Sequence, residues 1–150
     1  FIMSAASGFA FALTIEQIPS AMSGMLVSFG HTHGSLAFMV LATLLMVVFG
    51  AVLEGAPALI IFGPLLTPIA AQLGISSLHF GTVMVVAMGF GLFAPPVGLG
   101  LFATCAMTGT RMQDVARPMA KYLAVLLFGM VLLVLFPAIS LWLPNMLGMG

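Results

Sequence analysis

The stretch 90-FGLFAPPVGLGLF-102 is apolar enough for a membrane, yet it carries two adjacent prolines at its centre and glycines at 91, 98 and 100. Proline has no backbone N–H and pushes the residue before it out of the α region. Pro95 and Pro96 therefore end a helix in the middle of an apolar run. In hydrocarbon every unsatisfied backbone group is costly. Such a break survives only where protein encloses it or a wet cavity borders it.

The rest of the chain has the same solvent preference. Hydrophobic residues make up 63% and charged residues 4% of its 150 residues, with a mean hydropathy of +1.32. Six charged side chains cannot give a soluble domain its polar surface. The composition implies an all-α integral membrane protein and gives no basic patch for nucleic acid. Cys105 is alone, which excludes a disulfide framework and a thiolate metal site. There is no GxSxG, HExxH or P-loop, and the acids are too scattered for a dyad, so the chain does not read as an enzyme.

The opening 1-FIMSAASGFAFAL-13 lacks the basic region and cleavage site of a signal peptide. We read it as the end of a membrane helix within a longer protein, with residues 1–33 completed by a connecting interfacial helix. Residues 34–74 read as a helical hairpin, with arms over 36–53 and 58–71 and a tip at 54-EGAPA-58. Residues 78–108 read as one helix broken at 94-APPVG-98, and 121–143 as the last span. All three cations, Arg111, Arg117 and Lys121, fall within 109–121, so the positive-inside rule places that loop in the cytoplasm. The His31–His33 turn, the Gly74–Ser77 turn, Trp142 and the C-terminus are then external, and His79 opens its helix at the outer interface. The two histidines of the first turn have metal-binding spacing but no third ligand nearby, and read as solvated.

The hairpin either crosses fully or is re-entrant. An arm of about 14 residues reaches only ~21 Å, which favours the re-entrant form with its tip near the depth of the second break. Two breaks of like character at one depth are what discontinuous-helix transporters use, with freed carbonyls holding a monovalent cation and helix N-termini facing an anion. The candidate ion-binding backbone is Glu54, Gly55, Ala56 and Pro57 at the tip, and Ala94, Pro95, Pro96, Val97 and Gly98 at the break. Thr67, Thr104 and Thr108 are candidate hydroxyl or substrate contacts. A non-transporting scaffold or assembly subunit would also be this apolar, but gives no reason for paired breaks. An uncoupled ion channel could use the same carbonyls.

Four separated motifs add a resemblance. The segments 55-GAPALIIFGPLLTPIAAQLGIS-76, 79-HFGTVMVV-86, 89-GFGLFAPPVG-98 and 136-FPAISLWLP-144 resemble, in order and spacing, the C-terminal half of the large membrane subunit of tripartite ATP-independent periplasmic (TRAP) transporters. The resemblance implies an elevator-type fold of two inverted repeats, of which this chain is the second. It implies Na⁺-coupled import of organic acid anions, of the dicarboxylate or sialic-acid class, across the bacterial inner membrane. It also implies a periplasmic substrate-binding protein and a small membrane subunit, separate or fused. The tip and break residues named above would then form the Na⁺ site and substrate-facing surface of this repeat. At 54-EGA-56 the chain departs from the family pattern, so the role implied there rests on the backbone.

Overall fold

The computed structural model describes residues 28–30, 32–52, 55–94 and 98–148. Residues 28–30, 32 and 33 are helical, and after them come six helices: α1 Ser35–Val52, α2 Gly55–Gln72, α3 Ser77–Phe93, α4 Leu99–Thr108, α5 Met112–Leu135 and α6 Ala138–Met146. By length and composition α1 and α5 suffice to cross a membrane.

The core lies between α1, α2 and α3. Phe38, Met39, Ala42 and Met46 of α1 meet Ala58, Leu66, Ile69 and Ala70 of α2 and Phe80, Val83, Met84 and Ala87 of α3. The spacing on each helix is that of a stripe at 3.6-residue periodicity. Phe38 stacks on Phe80 with ring centroids 5.9 Å apart, and Phe49 packs on Phe62 at 4.5 Å. Position 38 of α1 thus faces position 80 of α3, and position 50 faces Met88. The two helices run parallel in direct contact, and α2 returns antiparallel, packed against both. Lipid chains are as apolar as these side chains, so the core gains mainly from close packing. Phe80 is fully buried. Phe80→Ala would leave a ring-sized void and is expected to cost about 3 kcal/mol, read as a lowered Tm in detergent micelles.

Three sequence boundaries are corrected. The second hairpin arm starts at Gly55, not 58, because Pro57 falls in the first turn, where a missing N–H costs no helical bond. Both arms therefore have 18 residues, about 27 Å of helix each, and the length argument for a re-entrant hairpin fails. The polar loop read over 109–121 shrinks to Gly109–Arg111. Gly109 closes α4 with φ +67°, Arg111 caps α5, and Asp114 in the first turn of α5 suits the positive end of that helix. The final span is likewise not continuous. Pro137 cannot donate and holds Phe136 at φ −119°, ψ 85°, so α5 stops and α6 leaves at an elbow.

One end of the molecule gathers Ser35, Gly74, Ser76, His79 and Pro137 around a cavity of about 350 Å³. Arg111 caps α5 and Arg117 and Lys121 lie in its first half, about 36 to 21 Å of helix away from its Leu135 end. Outward from the core α5 is apolar: Val125, Leu126 and Phe128 are exposed, and its buried residues are Leu123 and Met130.

Candidate functional site

The predicted residues Glu54, Pro95, Pro96 and Val97 lie outside the described residues, as do His31 and the segment 1–27. What the structure does describe is the set of helix ends on either side of them.

The ends of α1 and α3 touch backbone to backbone. A Cβ placed on Gly91 would fall on the Val47 carbonyl oxygen, 2.9 Å from the Ala51 nitrogen and 3.0 Å from the Gly50 carbonyl carbon. A Cβ on Gly50 would lie 2.9 Å from the Met88 carbonyl oxygen. The last turns of these two helices are therefore level. Small residues allow this approach, as in many membrane helix pairs. The hairpin tip follows α1 and the proline break follows α3, so both begin at the same height.

The residues on either side of the break lie close together. The Gly98 N–H donates to the Ala94 carbonyl at 2.8 Å, and the Ala94 N–H donates to the Gly91 carbonyl at 3.1 Å. A Cβ on Gly98 would sit 2.7 Å from the Leu92 carbonyl oxygen, so only glycine fits there. In a continuous helix the Leu92 carbonyl would accept from residue 96, and Pro96 has no N–H to offer. That oxygen has lost its helical partner by covalent chemistry alone. The first N–H bonded within α4 is that of Phe102, to Gly98 at 3.0 Å. Leu99, Gly100 and Leu101 hold N–H groups that start a helix without helical acceptors. Gly55 and Ala56 stand in the same position at the start of α2.

The C-terminal ends of α1 and α3 thus lie level, the start of α4 packs against the end of α3, and α2 starts three residues after α1 ends. The C-terminal ends of α1 and α3 present carbonyls and partial negative charge; the N-terminal ends of α2 and α4 present N–H groups and partial positive charge. Such a set can hold a small cation and an anion side by side without a charged side chain.

The threonines are placed differently. Thr67 donates to Gly63 O at 2.7 Å and sits twelve residues into α2 from Gly55, about 18 Å along the axis. Thr104 donates to Gly100 O and Thr108 to Thr104 O, both at 2.8 Å. Thr104 lies nearer the break, and Thr108 closes the far end of α4. All three hydroxyl protons are spent inside their own helices. Sequence reading missed Gly50, the Leu92 carbonyl and the buried Thr43, which donates to Met39 O at 2.7 Å. Only Gly50 carried a signal, as the one glycine of α1.

His79 is a correction. It is not interfacial but 3% exposed, with Nδ1 2.7 Å from Ser140 Oγ, because the α5–α6 elbow folds over it. His33 is exposed, as expected, and stacks on Phe29 at 4.5 Å.

A family profile described as "Tripartite ATP-independent periplasmic transporter, DctM component" matches residues 1–139. The chain belongs to this family. It is 38% identical over 150 residues to the C4-dicarboxylate TRAP transporter large permease protein DctM of Pseudomonas aeruginosa, covering all of this chain and 35% of that one. It is 34% identical over 149 residues to the protein of the same name in Rhodobacter capsulatus, covering 99% and 33% of the two chains. A more distant relative is the isethionate TRAP transporter permease protein DctMQ of Oleidesulfovibrio alaskensis, 28% identical over 141 residues, covering 94% and 22%. The chain spans about a third of the length of the curated relatives most similar to it. No solved structure matches it. The DctM relatives are transport permeases, in keeping with the apolar helices and the lack of catalytic motifs.

Proposed function

We propose that this chain is the cargo-binding half of a secondary transporter that imports an organic acid anion together with Na⁺ across the bacterial inner membrane. The observation that supports the reading is the close approach of the ends of α1 and α3 at Gly50 and Gly91, after which α2 and α4 restart following short interruptions. Carbonyls at the ends of α1 and α3, the Leu92 oxygen among them, replace the hydration shell of Na⁺. The N–H groups at the starts of α2 and α4 face the carboxylate of the cargo. Each helix N-terminus contributes roughly 0.3–1 kcal/mol to an anion, and up to ~2 kcal/mol when partly buried. The sequence expectation for the tip and break therefore stands here as a reading of their flanks.

A re-entrant hairpin is supported by depth rather than arm length. α1 ends beside Gly91, where α3 still has the ten-residue α4 beyond the break, about 15 Å of helix. α5 is 24 residues long against 18 for α1, so it outreaches the hairpin by about 9 Å. The hairpin and broken helix then move together within one elevator body. Cargo of the C4-dicarboxylate class follows from the names of the more similar relatives, and isethionate, also an organic anion, from the more distant one. Sialic acids belong to the same chemical class. A periplasmic binding protein would deliver the anion, and a small membrane subunit, separate or fused, would complete the assembly.

The test is uptake of a labelled C4-dicarboxylate into proteoliposomes holding the full-length protein with its small subunit and binding protein. Uptake should require both an inward Na⁺ gradient and the binding protein. Flux that ignores the gradient would mean a channel. No flux of any acid through folded protein would mean a scaffold.

A further inference from the structure

Two of the motifs read from sequence, 79-HFG-81 and 136-FPAISLWLP-144, have no place in the ion and anion site. The structure joins them. His79 Nδ1 lies 2.7 Å from Ser140 Oγ, 61 residues along the chain. Ser140 Oγ in turn donates to the Pro137 carbonyl at 3.0 Å. A hydroxyl has one proton, so with that proton on Pro137 the bond to the ring must run the other way: Nδ1–H donates and Ser140 Oγ accepts. This fixes the imidazole tautomer and ties α6 to α3 through a buried side chain.

The elbow needs such a tie. α6 has no buried residue of its own, whereas His79 is 3% exposed. The ring sits in the first turn of α3, whose other end carries the proline break. A rigid α3 transmits to the break any force that α5 and α6 exert on its outer end.

We propose that His79 is a positioning residue, which through Ser140 clamps the α5–α6 elbow to α3 so that the last helices travel with the broken helix. The proposal rests on the transporter reading for its effect on turnover, but the clamp itself does not. Asparagine places its amide N–H near the Nδ1 position; glutamine reaches instead toward Nε2. His79→Ala, His79→Gln and Ser140→Ala should each lower the uptake rate per mole of folded full-length protein about tenfold, the scale expected when a buried hydrogen bond is broken with one partner left behind. KM for the anion should change less than about twofold, because no group at the site is touched. His79→Asn should restore the rate to within about twofold of wild type. His79→Ala combined with Ser140→Ala should be no slower than either alone, since both remove one bond.

A merely structural role would lower the yield or Tm of every variant and leave the rate per folded molecule unchanged. That result, additive losses, or failure of His79→Asn to rescue would overturn the proposal. Hydrogen exchange over 138–146 gives a readout free of transport. Protection should fall in His79→Ala and Ser140→Ala and persist in His79→Asn; equal protection in all would overturn the clamp. If wild type itself does not transport, the transporter reading fails, and the exchange measurement alone decides the clamp.

Discussion

Gly91→Ala should destabilise the protein by about 3 kcal/mol or more, and Gly91→Leu should prevent it from folding. The atoms a new Cβ would meet are Val47 O, Ala51 N and Gly50 C, all of them backbone. None can swing aside as a side-chain tip does. α1 and α3 would have to separate along their last turns, and with them the neighbouring core around Met46 and Ala87. The measurement is thermal unfolding in detergent, with Gly63→Ala as the control. Gly63 lies in α2 with nothing within 4 Å of its would-be Cβ, so alanine there should stabilise by up to about 1 kcal/mol through helix propensity alone. Equal Tm shifts at the two positions would refute the close approach.

The double substitution Pro95→Ala with Pro96→Ala should have the opposite profile. It returns N–H donors to Gly91 O and Leu92 O and lets α3 and α4 join into one helix from 77 to 108. A proline costs about 3 kcal/mol in a helix interior, so Tm should rise or hold. Uptake should fall at least a hundredfold, because the free carbonyl and the α4 N-terminus vanish together. Losing about 3 kcal/mol of site stabilisation corresponds to that factor. Retained uptake with retained folding would remove the broken helix from the mechanism and favour the scaffold reading.

The break was legible from sequence because proline's effect is covalent: two adjacent prolines among glycines withhold two consecutive donors, whereas the spaced Pro64 and Pro68 are accommodated within α2. The extents of the neighbouring helices were less so. Gly55, Ala56 and Pro57 resemble a turn, yet each is tolerated in a first helical turn, and α2 starts there. Arg111, Gln113, Asp114 and Arg117 look like a solvated loop, but such side chains suit the charged end of a long helix, and α5 takes them in. The features that organise the site depend on partners far along the chain. Gly50 meets Gly91 across 41 positions and His79 meets Ser140 across 61. Neither pairing leaves a periodicity in the sequence, so local pattern could flag the residues but not match them.

The contact between Gly50 and Gly91 contains no side-chain torsion. Nothing there can relax to absorb a displacement, and packed backbone is nearly incompressible. On the proposed reading, a displacement of the end of α1 on ligand binding is therefore passed on to the end of α3. Loading of the two places becomes a linked equilibrium: whatever factor one occupant adds to the affinity of the other is returned in equal measure. Stoichiometric coupling of two cargoes can thus originate in an absence, two hydrogen atoms standing where side chains would have softened the joint.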